Sequence, residues 1–164
     1  MSSQTETVQI VRTWLAEHGW LAACPADFSQ ALLASGYVRH LKSGEALYHA
    51  GDIEGGMWGI AAGQLISSTG IAGPDTNLVA MYLPGEWIGT GPISGYRRQL
   101  DLVARTPTTV IAVPQLSVRR LLDVRPEWWE HFNRLHFLLM VKFGLLAADL
   151  QTPDSRARIA AVLL

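Results

Sequence analysis

The chain has 164 residues, 49% of them apolar and 16% charged, a balance that fits one compact domain with an appendage and excludes a disordered chain. A net charge of −1 gives no broad attraction for phosphate backbones, so these residues alone are expected to bind DNA poorly. Cys24 is the only cysteine, which excludes an internal disulfide framework and four-cysteine iron–sulfur or zinc ligation; it reads first as a buried structural thiol, with a redox or haem role as the alternative.

From the N-terminus, Met1 to Glu6 lacks the basic and apolar regions of a secretory signal. Ser3-x-x-Glu6 is a capping-box pattern, and Val8, Val11, Trp14 and Leu15 recur at helical spacing up to Gly19, predicting a helix over about 5–18. Residues 25–35 predict a short second helix with Phe28, Leu32 and Leu33 inward, ended by Gly36. Thirteen of the fifteen glycines then fall between Gly36 and Gly95. They divide strand-like runs at Tyr37–Leu41, Ala46–His49, Trp58–Ala61, Leu65–Ser68, Leu78–Leu83, Leu100–Ala104 and Thr109–Val113, with a hairpin loop at Gly70 to Asp75. Short strands at this spacing argue for an antiparallel β-roll or jelly roll rather than βαβ units.

Pro114 opens a short helix through Leu122, and Pro126 is expected at the first position of a long helix reaching about Leu150. Two apolar stripes run along it: Leu135, Leu139, Phe143, Leu146 and Leu150, and beside them Leu138, Val141, Leu145 and Ala148. A helix apolar on two faces needs two burial partners; one is the roll, and the other is expected to be the same helix of a second subunit. Its longest apolar stretch, Phe137 to Ala148, is broken by Lys142 and falls short of the ~20 residues a bilayer span requires. No membrane contact and a cytoplasmic location are expected. After a break at Gln151 to Ser155, Arg156 to Leu164 begins another amphipathic segment.

The Gly44-Glu45 and Gly51-Asp52 corners, the Ile60-x-x-Gly63-x-Leu65 turn, the Pro84-Gly85-Glu86-Trp87-x-Gly89 run and the helix from Pro126, taken in order, resemble the effector domain of the Crp/Fnr family of bacterial transcription regulators. The resemblance implies a mainly β fold with helices: a cyclic-nucleotide-binding-like roll flanked by N-terminal helices over 1–124, a dimerisation helix over 125–151, and a hinge with the start of a winged helix-turn-helix over 152–164. It implies a homodimer that reads DNA through a domain beyond Leu164 and responds to a small-molecule effector, without enzymatic activity. Leu135, Leu138, Val141, Leu145 and Ala148 would carry the dimer contact, and Pro153 and Asp154 the hinge, with Asp154 capping the next helix.

In such folds a glycine-rich turn presents backbone N–H groups to a cyclic phosphate while an arginine neutralises it. Here that cassette falls on Gly89, Thr90, Gly91, Arg97, Arg98 and Gln99. Arg98 or its neighbour Arg97 stands at the phosphate arginine; Thr90 replaces the family's ribose-binding glutamate, and Gln99 its hydroxyl residue. The cassette is about two residues shorter, with Pro92 where a helix turn would run, and the purine-facing positions of the long helix carry Phe143 and Gly144. No cofactor is fixed by these residues. A cyclic nucleotide stays a candidate effector that the replacements weaken, beside another small or anionic ligand or no ligand. The plainer reading of Arg97 and Arg98 is as solvated charges pairing with Asp101 or Glu86, and of Trp58 and Trp87 as core.

Two other classes compete. A stand-alone ligand-binding or interaction module would keep the roll and the helix without DNA reading. A cupin-like metalloenzyme would need clustered histidines, but His18, His40, His49, His131 and His136 form no His-x-His pair, and the last two stand ~140° apart round a helix.

Overall fold

The computed structural model describes residues 2–69 and 77–150. The expected hairpin loop at Gly70 to Asp75, the hinge residues Pro153 and Asp154 and the segment after them lie outside these. The chain divides into two compact units, Met1–Trp128 and Trp129–Leu164.

In the first unit, helices α1 (Ser2–Glu17) and α2 (Ala26–Ala34) precede eight strands: β1 (Tyr37–Leu41), β2 (Ala46–Tyr48), β3 (Gly56–Ala62), β4 (Leu65–Ser68), β5 (Leu78–Tyr82), β6 (Trp87–Ile88), β7 (Asp101–Ala104) and β8 (Thr108–Pro114). Helix α3 (Gln115–Val124) follows. The strands form two antiparallel four-stranded sheets, ordered β1-β8-β3-β6 and β2-β7-β4-β5. This is the expected roll. Helix α1 starts three residues earlier than expected, because nothing in Ser2 to Gln4 breaks it, so Ser3 lies within the helix rather than capping it. Strand β6 was not foreseen; its two residues pair as Trp58↔Ile88 and Gly59↔Trp87.

Directly paired residues share a sheet face, and the register sorts β3 and β8 into two layers. Gly59 lies beside Ile111 and Trp87 on one face. Trp87, 1% exposed, meets Trp20 edge-on at 5.7 Å; Trp20 meets Phe28 at 5.7 Å, and Phe28 meets Trp128 at 5.3 Å. This edge-to-face ladder fastens the helices to the first sheet, each pair adding about 0.5–1.5 kcal/mol beyond its buried area. It also fixes Gly59, where a Cβ would stand 2.5 Å from the Trp87 ring. On the opposite face Trp58 lies beside Ala112, and Tyr37 beside Ala112 on its other side. That face looks into the roll, where Trp58 stacks on Tyr48 of the second sheet.

Pro126 does not open the long helix directly. Residues Pro126–Trp128 form a 3-10 turn, closed by the Trp128 N–H donating to the Arg125 carbonyl at 3.0 Å. The tight turn seats the buried Trp128 ring on Phe28.

The second unit holds α4 (Trp129–Leu150). Leu135 is 3% exposed, whereas Leu138, Val141 and Leu145 are 48%, 40% and 62% exposed and Ala148 is exposed too. Of the five residues expected to carry a dimer contact, Leu135 is thus already buried in the single chain. No helix among the described residues is long and apolar enough to cross a membrane.

Candidate functional site

Strand β6 delivers the chain to Gly89 with φ at 94°, a left-handed conformation that favours glycine. Space demands glycine as well: a Cβ there would lie 2.6 Å from the Trp58 ring and 2.8 Å from the Gly56 carbonyl oxygen. Thr90, 7% exposed, leads into a 3-10 turn at Gly91–Ser94, which accepts Pro92 near its start and ends at Gly95 with φ at 86°. A short helical turn therefore does run where Pro92 was expected to prevent one, because proline's missing N–H falls where none is needed. The side chain of Gln115 donates to the Pro92 carbonyl, and Arg119 donates to the Ile93 carbonyl at 3.4 Å, so α3 holds the far end of the turn.

The two neighbouring arginines go to different places. Arg97 is exposed and donates to the Gly51 carbonyl at 3.0 Å. Gln99, also exposed, donates to the Arg97 carbonyl at 3.1 Å. Arg98 is only 5% exposed. Its Nη1 donates to the Gly89 carbonyl at 2.8 Å and its Nη2 to the Gly56 carbonyl at 2.6 Å. Its guanidinium carbon lies 4.4 Å from the centre of the Tyr48 ring and 4.5 Å from that of Trp58, while the two rings are 5.1 Å apart. The three flat groups form a compact triangle inside the roll, in a desolvated setting where a cation–π contact is worth about 2 kcal/mol. Arg98 also joins the backbone across the site: its N–H donates to the Asp52 carbonyl at 2.9 Å and its carbonyl accepts from Gly51 N–H at 2.8 Å.

The electrostatics of Arg98 are unusual. Among the described residues it makes no ion pair within 4 Å, and its buried Nε–H has no hydrogen-bond partner. Burial lowers its proton affinity from the ordinary arginine value, opposed by Tyr48 and by the carboxylate of Asp52. Burial likewise pushes the Tyr48 hydroxyl up to about 12, against the pull of Arg98, so it stays neutral at physiological pH. The pairing suggested for the arginines with Asp101 or Glu86 is not made. Asp101 Oδ1 accepts from the Ala50 N–H at 3.0 Å and faces His49 Nδ1 at 3.3 Å, and Glu86 Oε2 accepts from the Leu83 N–H at 2.6 Å. Both carboxylates tie down local turns instead.

The structure thus brings Gly89 and Arg98 into direct contact, with Thr90 and Gly91 directly after Gly89, and leaves Arg97 and Gln99 on the surface. Phe143 and Gly144 belong to α4. Reading the sequence missed Tyr48 and Gly56 as partners of the buried arginine. No local signal marks them, since both reach Arg98 from other strands.

The pattern of the cyclic nucleotide-binding domain matches residues 38–125, more than half of the chain and the stretch that contains every one of these contacts. The chain belongs to the cyclic nucleotide-binding domain family. Among solved structures, the N-terminal domain of a transcriptional regulator from Streptomyces coelicolor A3(2) is 26% identical, with a TM-score of 0.61, over 86% of this chain and 98% of that one. A protein from Silicibacter pomeroyi DSS-3 is 17% identical with a TM-score of 0.66, over 90% of this chain and 66% of its own length. The regulatory domain of Toxoplasma gondii PKA, solved with cAMP, is 13% identical with a TM-score of 0.64, over 86% of this chain and 51% of that one. The last two likenesses concern the fold alone. The domain spans just under two thirds of the Silicibacter pomeroyi protein, and no curated protein matches it in sequence.

Proposed function

We propose that this domain is the effector-sensing and dimerisation part of a Crp/Fnr-type transcription regulator, taking a small anionic effector at Arg98 and reading DNA through a domain beyond Leu164. The observation that carries the reading is the buried guanidinium in the cassette, which has no carboxylate partner within 4 Å among the described residues. An unpaired buried charge is strongly unfavourable, and a phosphate or carboxylate would relieve it by the charge-assisted, two-pronged bonding that arginine favours. The two carbonyls that hold Arg98 must yield part of that bonding to an entering anion. With Thr90 in place of a carboxylate, a ribose hydroxyl would also meet a neutral hydroxyl instead of a charged acceptor. Cyclic AMP is therefore expected to bind only weakly.

The likeness to the N-terminal domain of the Streptomyces coelicolor regulator supports the regulatory part of the reading. The exposed stripe of Leu138, Val141, Leu145 and Ala148 supports self-pairing, since an apolar helix face of this length is normally covered. Titration calorimetry with cyclic AMP and cyclic GMP, run beside sedimentation velocity, tests both halves. Cyclic AMP should bind with a dissociation constant weaker than about ten micromolar, with loss of the signal in Arg98→Gln. The protein should sediment as a dimer that Leu145→Glu converts to monomer, because a lone charge buried in an apolar interface costs several kcal/mol. A wild-type monomer at tens of micromolar would remove the dimer reading.

A further inference from the structure

One cavity of the first unit, about 270 Å³ in volume, is walled by Tyr48, Gly56 and Trp58, the same residues that hold Arg98, and so belongs to the site already described. Another, of about 320 Å³, lies between α1 and α2. No residue in contact with Arg98 lines it. Its floor is apolar, formed by Ala16 of α1 with Leu33 and Ala34 of α2, and its walls carry the amides of Gln9 and Gln30 and the hydroxyl of Thr13. Amides and a hydroxyl offer both donors and acceptors to a polar guest.

Opposite charges stand at the two ends of this groove. Arg12, half-buried, lines one end, and its Nη2 donates to the Gly36 carbonyl at 3.1 Å and to the Ala34 carbonyl at 3.4 Å. Those bonds cap the C-terminal end of α2, but both partners are neutral. Among the described residues no carboxylate lies within 4 Å of the Arg12 guanidinium, Nη1 makes no hydrogen bond, and the buried Nε–H has no partner. Glu17 lines the other end, about 7.5 Å further along the α1 axis. It is exposed, and its carboxylate makes no hydrogen bond or ion pair among the described residues. One cation and one anion, each without a counterion, thus face the same cavity.

A guest of single charge is poorly served here, because an anion drawn to Arg12 is repelled by Glu17 and a cation drawn to Glu17 is repelled by Arg12. We infer that the α1–α2 groove is a second ligand site, for a small zwitterion of the amino-acid type. The carboxylate takes charge-assisted bonds from Arg12, the ammonium group lies toward Glu17, and an aliphatic side chain rests on Ala16, Leu33 and Ala34. The volume stands at the small end of the roughly 300–1,000 Å³ of ligand pockets, which suits one amino acid rather than a peptide. The site is independent of any anion at Arg98.

The test follows the backbone amides of the purified chain by NMR, with L-leucine as probe and two controls of nearly the same shape: L-leucinamide, which lacks the carboxylate, and isocaproate, which lacks the ammonium group. L-Leucine should shift the amides of Thr13, Ala16, Gln30 and Ala34 saturably and leave those of Gly89 and Gly95 unmoved. Each control should bind at least about fivefold more weakly. Glu17→Gln, at an exposed position, should weaken L-leucine about fivefold, the upper weight of an exposed charge pair, and should bind isocaproate no more weakly than before. Arg12→Lys keeps the charge but loses the planar fork, and should weaken L-leucine and isocaproate alike. Equal affinity for L-leucine and either control would overturn the proposal, as would an unchanged L-leucine affinity in Glu17→Gln or no saturable shift by about twenty millimolar probe.

Discussion

The cassette and the cavity beside it share Tyr48, Gly56 and Trp58 yet are packed in opposite ways. At the cassette, Gly89, the Trp58 ring, the Gly56 carbonyl and the Arg98 guanidinium are packed against one another with no spare room. At the cavity, Tyr37 and Glu54 are exposed, and Asp52 holds the His49 and Arg98 backbone N–H groups. Trp58 takes part in both, walling the cavity on one side and meeting Arg98 on the other. The contrast teaches that family membership fixes where the cassette runs but not how openly its arginine is presented. In this chain the arginine expected to await a phosphate is enclosed, so an anion reaching it must displace part of its bonding to the Gly89 and Gly56 carbonyls.

Substitutions among the closely packed cassette residues should therefore cost stability, and those at the exposed rim of the cavity should not. The largest effect is expected for Arg98→Gln. It leaves the Gly89 and Gly56 carbonyls short of a donor and removes the cation from both rings, for a loss of about 3 kcal/mol in urea unfolding. Arg98→Lys should recover part of this, since an ammonium retains the charge and one carbonyl bond but not the planar fork. Gly89→Ala comes next, at about 2 kcal/mol, because the new Cβ meets the indole and the backbone must keep a positive φ. A combined Trp58→Phe change should return only the steric share.

At the rim of the cavity, Tyr37→Ser and Glu54→Gln should each change stability by less than about 0.5 kcal/mol. A loss comparable to that of Gly89→Ala would erase the contrast. The smallest effect concerns pH. Hydrogen bonding from the Lys42 N–H, and then from Arg39, holds the Glu45 carboxyl below its ordinary value of 4.5. The folded state therefore binds this proton less readily than the unfolded chain. The contribution is complete above 4.5 and is lost as pH falls through the lowered value. Because Glu45 is exposed, the slope should be shallow. Glu45→Gln should flatten it in unfolding curves between about pH 5 and pH 3.

Much of the fold was legible because its signals are local. Tyr37–Leu41 and Leu65–Ser68 occupy the spans read from strand-like runs between turn residues, and Phe28, Leu32 and Leu33 are buried as the helical period requires. Gly19 takes the left-handed conformation expected after α1, with φ at 67°. Strand β6 escaped notice because two residues carry no periodicity, and it exists only through pairing with Trp58 and Gly59, nearly thirty residues earlier. The site was legible in part. Gly89 and Arg98 could be placed by spacing, and they do meet. What spacing could not supply was the partner set: Tyr48 and Gly56 reach Arg98 from other strands, and only the register of two sheets decides that. The same holds for the cavity beside the cassette, whose carboxylates lie in a loop that reads as an ordinary turn.

The most direct test of the account follows the Arg98 Nε–H itself by proton–nitrogen correlation NMR during titration with cyclic AMP and, separately, inorganic phosphate. The account predicts two slowly exchanging arginine Nε–H signals, from the buried Nε–H groups of Arg12 and Arg98; the one missing in Arg98→Lys moves saturably with added anion, at a midpoint weaker than about ten micromolar for cyclic AMP, and the Arg12 signal stays fixed. An Arg98 Nε–H signal that stays fixed up to about ten millimolar of both anions, or a tight midpoint for cyclic AMP that persists in Arg98→Lys, would contradict it.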